Sequence, residues 1–230
     1  MQASVQTAVA APSRSGSGLS GSGLTGSGVP EPALSDASPH TMSMPTMGVP
    51  ISRPDADEVT IGVAVQIPEP WATQLQQWRA DFGDPLAGAS PAHITLLPPT
   101  VVPRSQIEDI AAHLARVAMG LPSFEMALDG TGTFRPLSPV VFVQVVAGAE
   151  GCDRLQRLVR TGPLTRNLSF PYHPHVTVAH HLSDDALDRA LTTLKDFYCS
   201  FTVGGFGLFE HGHDGVWRQR RRFPFGGGRG

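Results

Sequence analysis

The sequence predicts an α+β fold built from one β-α-β-α-β unit used twice, and three observations carry that expectation. His-x-Thr occurs at His93–Thr95 and again at His175–Thr177, 82 residues apart. The same offset carries a β-branched run at Val59 onto a second apolar run near Val140. It also carries the helical pattern from Ser105 to about Leu187 and the strand from Phe124 to about Phe206. An internal repeat constrains a whole fold more strongly than any single motif.

The elements follow in chain order. Residues 1–54 are expected to form a disordered tail: between Met1 and Ser52, 28 residues are Gly, Ser, Pro or Thr, three are charged and none is aromatic. Such a segment buries too little apolar surface to offset its ordering entropy. Within it, 15–29 reads SGSGL SGSGL TGSGV, the composition of a flexible linker. Four of the six methionines (Met1, Met42, Met44, Met47) fall here, so a translation start at a later methionine stands as an alternative to a tail. The folded part is expected over 55–226, with units over about 57–130 and 138–226, followed by a flexible end at 227–230.

In the first unit, Val59–Val65 alternates and is β-branched, the pattern of a strand. Trp71, Leu75 and Trp78 then recur at helical spacing until Gly83 and Pro85. His93–Leu97 is a short strand. Ser105–Met119 carries Ile107, Ile110, Ala111, Leu114 and Val117 on one helical face, with Ser105 and Glu108 spaced as a capping box and Gly120 as the stop. His113 falls on the polar side of that helix and is expected to be exposed. Phe124–Leu128 closes the unit. The second unit repeats the order: strand Val140–Val146, helix from Asp153 to Val159, short strand His175–Ala179, a helix capped by Ser183, and strand Phe201–Phe209. Past it, Leu208–Phe225 reads as a hairpin closed at His213-Asp214-Gly215.

Composition excludes several functions. A net charge of -3 and an isoelectric point near 6.3 do not provide the broad basic surface that grips long nucleic acid. A short or single-nucleotide ligand stays open. Two cysteines are too few for a disulfide framework and read as reduced, partly buried thiols. No apolar run reaches membrane-span length and the N-terminus lacks the pattern of a secretory signal, so a cytoplasmic protein with no membrane partner is expected.

The two His-x-Thr strands carry the chemistry. Side chains alternate along a strand, so His93 and Thr95 share one face while Ile94 and Leu96 face the core; His175 and Thr177 oppose Val176 and Val178 in the same way. Two units packed about a pseudo-twofold axis bring both polar faces to one cleft. Breaking a phosphodiester without a metal needs a base, an acid and donors for the non-bridging oxygens. Histidine serves as either acid or base near neutral pH, and threonine donates without adding charge. With 9 His and 16 Thr in 230 residues, chance supplies about 0.6 such matches, so the motif alone says little. Its recurrence at matched positions of a repeat is what sets it apart from ordinary half-buried strand histidines followed by β-favouring threonines.

These residues resemble the two-histidine phosphoesterase superfamily, in its bacterial RNA 2',5'-ligase-like and cyclic phosphodiesterase branch. The resemblance covers about Asp57 to Gly226. It rests on His93-Ile-Thr95 followed by Leu-Leu-Pro-Pro, on GTGTFRPLSPVVFVQV over Gly130–Val145, on Pro174-His175-Val-Thr177-Val-Ala, and on the closing WRQRRRFPFG. It implies a bilobed α+β fold with antiparallel-rich sheets around a central cleft, and metal-independent action on 2',3'-cyclic phosphates or 2',5' linkages at RNA ends. It further implies that His93 and His175 are the acid/base pair and that Thr95 and Thr177 hold the phosphate; His175 is assigned to activate water and His93 to protonate the leaving oxygen, with the exchanged assignment left open. No cofactor is implied. The partner implied is a small cyclic nucleotide or an RNA terminus, with no obligate protein partner and a monomeric enzyme. His180 stands where relatives often carry arginine.

Other residues have two readings each. Phe134 is a base-stacking or a core residue; Tyr172 is a weaker stacking candidate; Arg135 is the preferred phosphate contact outside the motifs. His173, His180, His181, His211 and His213 raise a metal site against plain turn histidines. Arg218, Arg220 and Arg222 share a strand face, which either steers RNA or guards a sheet edge. Two further functions compete with the phosphoesterase: a binding module that senses a nucleotide or RNA end without turnover, and a metal-dependent hydrolase built on the clustered histidines.

Overall fold

A computed structural model describes residues 54–168 and 170–227 of the 230-residue chain. All but the last residue of the tail expected over 1–54, and all but the first of the end expected over 227–230, lie outside the described residues.

The described chain forms eight strands and four α-helices. In the first half these are β1 (Glu58–Gln66), α1 (Trp71–Asp81), β2 (His93–Pro103), α2 (Ile107–Met119) and β3 (Phe124–Thr133). The second half comprises β4 (Val140–Ala147), α3 (Ala149–Val159), β5 (His175–His180), α4 (Asp184–Thr193), β6 (Tyr198–Val203), β7 (Gly205–His211) and β8 (Trp217–Pro224). The strands make two antiparallel four-stranded sheets, ordered β2-β1-β7-β8 and β5-β4-β3-β6. This is the duplicated α+β architecture with antiparallel sheets. The sheets do not follow the repeat units, however. The third strand of each unit crosses over: β3 pairs with β4, and β7 pairs with β1. Each sheet therefore holds two strands begun by one unit and closed by the other, and β2 and β5 occupy the same edge position in their sheets.

Local physics accounts for where elements depart from the sequence pattern. β2 runs on through Pro98 and Pro99 rather than stopping at Leu97, because an edge strand tolerates residues that cannot donate to a ladder. The capping box at Ser105 does not form. Arg104–Gln106 winds as a 3-10 turn, anchored by the Arg104 amide donating to the Asp57 carbonyl at 2.7 Å, and Gln106 becomes a cap without a side-chain bond. α3 starts four residues before Asp153, at Ala149, since Gly148 at φ +87° turns the chain directly into the helix. A Cβ there would lie 2.6 Å from the Glu125 carbonyl oxygen. Ser183 caps α4 as expected, its hydroxyl accepting from the Ala186 amide. The expected strand over Phe201–Phe209 is two strands, β6 and β7, in different sheets, divided at Gly204 and Gly205. The β7–β8 hairpin forms with Gly215 at φ +80° in its turn.

One apolar core runs through both sheets, with Ile61, Ile94, Leu128, Val143, Leu155 and Leu187 fully buried. α1, from the first unit, packs on β5 of the second sheet, and α3 packs on β2 of the first. The two helices brace the sheets across the unit boundary. His113 is not exposed as expected: it is buried between α2 and α3, its Nε2 3.2 Å from the Val159 carbonyl oxygen. Burial likewise pushes the thiols up, Cys152 to about 12 and Cys199 to about 11, which keeps both inert as nucleophiles. β8 is an edge strand on which three of four arginines are ion-paired, Arg218 with Asp214, Arg220 with Glu210 and Arg221 with Glu108, while Arg222 makes no ion pair among the described residues. That pairing fits the edge-guarding reading. Among the described residues no helix is long and apolar enough to cross a membrane.

The sheet switch at Gly204–Gly205 makes a stability prediction. A Cβ on Gly205 would lie 2.4 Å from the Phe223 carbonyl oxygen, whereas on Gly204 the nearest atom, Ser123 Oγ, is 3.9 Å away. In denaturant unfolding, Gly205→Ala is expected to cost about 1–3 kcal/mol by overpacking, and Gly204→Ala well under that. Equal costs for the two would refute a tight crossing at Gly205.

Candidate active site

Each His-x-Thr motif opens an edge strand, and the two strands are built alike. His93 and Thr95 are half-buried while Ile94 and Leu96 are fully buried; His175 and Thr177 repeat this against Val176 and Val178. On β1, Gln66 pairs with His93 and Ala64 with Thr95; on β4, Gln144 pairs with His175 and Phe142 with Thr177. Immediately past each threonine the register slips by one residue, at Leu96 and at Val178. Such bulges re-aim a strand locally and recur beside active sites. β2 and β5 lie in contact, and the imidazoles of His93 and His175 are near enough for one to depress the charging of the other. The structure therefore brings His93, Thr95, His175 and Thr177 together.

The two imidazoles are also held in the same way. His93 Nδ1 lies 2.6 Å from the Pro91 carbonyl oxygen, and His175 Nδ1 lies 2.7 Å from that of His173. A carbonyl can only accept, so Nδ1 must carry the proton in both rings. The neutral form of each then has its lone pair on Nε2. Burial lowers the pKa of His93, with the Pro91 bond opposing and the Arg79 charge adding to the fall. Burial likewise depresses His175 to about 4, against the His173 carbonyl bond and with help from the charges of His173 and His93.

The loop that supplies Pro91 is clamped from α1. The buried Arg79 guanidinium pairs with Asp84 at 2.9 Å and donates to the Ser90 carbonyl at 2.7 Å. Gln76 donates to the Ala87 and Ser90 carbonyls.

The remaining expected residues fall in different places. Phe134 lies edge-on to His175, with ring centroids 5.0 Å apart, and against Phe142 at 4.5 Å, so it walls the His175 side. Tyr172 is half-buried: its ring packs on the core and also lines a surface pocket with Asp153, Arg157 and Pro174, and its hydroxyl donates to the Thr95 carbonyl at 2.9 Å, tying the chain before β5 to β2. Burial pushes its phenol well above the usual range. Arg135 turns to α4, where it pairs with Asp184 at 3.4 Å and Asp188 at 2.5 Å. His180 is buried beside His181, with centroids 3.8 Å apart, and its Nε2 has no hydrogen-bond partner. Among the described residues no three His, Cys, Asp or Glu side chains group as metal ligands.

A family model described as the 2'-5' RNA ligase superfamily matches residues 67–215, a span that contains both His-x-Thr strands. The chain belongs to this superfamily. Among curated relatives, a protein of Bacillus cytotoxicus named a phosphoesterase is 31% identical over 149 residues, 63% of this chain and 85% of that one. A protein of Bacillus thuringiensis, also named a phosphoesterase, is 29% identical over the same length and shares. Among solved structures, Escherichia coli LigT complexed with NADP+ aligns with a TM-score of 0.57 at 22% identity, covering 74% of this chain and 99% of that one. TT0787 of Thermus thermophilus aligns at 0.51 and 24% identity, covering 74% and 100%. These likenesses show a shared fold.

Against this superfamily background, sequence reasoning missed Arg79, Phe209 and Trp217. Trp217 and Phe209 line a pocket with His93 and Thr95. The signal that pointed there is Gly62, an isolated glycine in a β-branched strand, which marks close approach of another group. A Cβ on it would sit 3.2 Å from the Trp217 ring.

Buried neutral histidines make stability depend on pH. His175 and His180 are each held near 4 in the folded chain, against about 6.5 when unfolded. As pH falls through the unfolded value, the unfolded state takes up protons first, so stability falls from about 6.5 towards 4. Melting temperatures across that window are expected to drop, and His180→Leu to flatten part of the drop. An unchanged slope in that variant would contradict a buried neutral His180.

Proposed function

We propose that the chain is a metal-independent phosphoesterase that opens 2',3'-cyclic phosphates on small nucleotides or RNA ends, and that joins ends as a 2',5' ligase when a ribose 5'-hydroxyl replaces water. One observation carries this reading: two half-buried histidines on matched edge strands, each with Nδ1–H tied to the carbonyl two residues before it. The superfamily and the phosphoesterase-named relatives support the same class.

The steps follow from those groups. Water lies against His175, whose neutral Nε2 takes a proton as the water oxygen bonds to phosphorus. Charge gathering on the non-bridging oxygens is met by the Thr95 and Thr177 hydroxyls, which stand on the same strand faces as the imidazoles. His93, as imidazolium, gives its Nε2 proton to the departing ribose oxygen, and the ring ester opens to a phosphomonoester. The depressed pKa values require that the anionic substrate itself supply the charge that lets one imidazole hold its proton. When a ribose 5'-hydroxyl takes the place of water, His175 accepts its proton, the 3'-oxygen leaves with the proton of His93, and a 2',5' linkage forms without nucleotide activation; cleavage of that linkage by the 3'-hydroxyl is the microscopic reverse, with the roles exchanged.

With excess chelator present, the wild-type protein is expected to open 2',3'-cyclic AMP. His93→Ala and His175→Ala are each expected to lower kcat by about 10²–10⁴ while circular dichroism stays unchanged. Activity that survives both substitutions, or that chelator abolishes, would overturn the proposal. Tight nucleotide binding with no product over long incubation would favour a binding module instead.

A further inference from the structure

Positive charge is concentrated in one stretch of a chain whose net charge is -3. Residues 154–183 hold four arginines, Arg154, Arg157, Arg160 and Arg166, and no Asp, Glu or Lys. The fold gathers these arginines beside β2, on which α3 packs. Arg154 and Arg157 are exposed on α3, Arg160 is half-buried at its C-terminal end, and Arg166 is exposed in the segment beyond. Arg160 donates to the Arg166 carbonyl at 3.1 Å, and Arg166 donates to the Thr100 hydroxyl on β2. Thr100 lies five residues past Thr95, about 17 Å along a strand, which is farther than one nucleotide spans.

Neutral groups hold most of these cations. Of the four, only Arg157 has a carboxylate partner among the described residues, Asp153 at 2.6 Å. Arg160 instead donates to the Gln156 side-chain oxygen at 2.7 Å. Burial first, and then the charge of Arg166, lower the Arg160 pKa, so the two guanidinium groups repel. On β8, by contrast, three of four arginines are matched to acids. Arginines crowded without acids are relieved by an anion from outside, and their planar forks match phosphate. Arg154 and Arg157 also line a surface groove with Tyr172 and Pro174; Glu150 and Asp153 line it too, the latter neutralised by Arg157. The groove leads to the histidine pair: Pro174 immediately precedes His175, and the Tyr172 hydroxyl bonds the Thr95 carbonyl.

We infer that the arginine face from Arg154 to Arg166 is a track for a single RNA strand whose end lies at His93 and His175, so that the substrate is an RNA end and not a free mononucleotide. The inference rests on the phosphoesterase reading for what occupies the histidine pair. A mononucleotide there carries no further phosphate for these arginines, whereas a strand places one after another along them. The contacts are to backbone phosphates, which position a strand without reading its sequence. The tract is short, in keeping with a chain that has no broad basic surface.

The test is equilibrium binding without turnover, with a short single-stranded RNA ending in a 3'-phosphate and adenosine 3'-monophosphate as probes. The wild-type protein is expected to bind the RNA more tightly than the mononucleotide. Arg154→Gln and Arg166→Gln, made singly, are each expected to reduce the slope of log affinity for RNA against log salt by about 0.7, a loss of about fivefold in 0.1 M salt. Arg222→Gln, an unpaired arginine on β8, is expected to change neither. Mononucleotide binding is expected to be alike in all three variants and reports that the fold is intact; if one track variant loses it, the other decides. RNA affinity and salt slope unchanged in a track variant that still binds the mononucleotide would overturn the inference. An oligoglutamate of equal charge binding as tightly as the RNA would also overturn it, in favour of an acidic protein partner. No opening of cyclic substrates, alongside RNA binding that depends on Arg154 and Arg166, would instead count against the phosphoesterase reading and leave the track standing.

Discussion

Everything at the candidate site depends on the exchange of β3 and β7 between the two sheets. A β-α-β-α-β unit that kept its own third strand would be free to pack its partner in many ways. Here β7 must lie beside β1 and β3 beside β4, so neither sheet exists until both units are present. The exchange leaves β2 and β5 as equivalent edges, and the bracing of α1 on β5 and α3 on β2 holds those edges against each other. Tyr172 adds a hydrogen bond across the same seam. The histidine pair is thus a product of the fold's closure, and rigid strands position it better than loops would.

Symmetry gives the site its shared parts, and departures from symmetry give each histidine its own surroundings. The i-2 carbonyl bond, the threonine two residues on and the bulge beyond it occur twice. The surroundings do not. Buried Arg79 and Asp84 stiffen the loop before His93, and the Arg79 charge depresses that imidazole. His175 instead is packed by aromatic rings and by His173. Two chemically identical side chains in different surroundings are what an acid/base pair requires, since one must hold a proton while the other lacks it.

Much of this was legible in the sequence because it is local. Alternation placed Ile94, Leu96, Val176 and Val178 in the core and set the histidines on the opposite face, and the repeat tied the two motifs to one plan. Strand exchange was not legible, because the partner of β3 or β7 is chosen by packing at long range. The end of β2 was misjudged for the same reason: Pro98 and Pro99 stop a central strand but not an edge. Side-chain commitments were the hardest. Arg135 beside the glycines pairs with Asp184 and Asp188, and Tyr172 before the second motif bonds the Thr95 carbonyl, partners that no local pattern in the sequence announces. Trp217 lay unweighed in the closing strand since its significance comes from Gly62, more than a hundred residues earlier.

The central claim is that both imidazoles are locked with the proton on Nδ1 and the lone pair on Nε2. Long-range proton–nitrogen correlation spectra of ¹⁵N-histidine protein near neutral pH test this directly. The account predicts that His93 and His175, assigned by loss of their signals in the alanine variants, both appear as the Nδ1–H tautomer. Either ring found as the Nε2–H tautomer would contradict it.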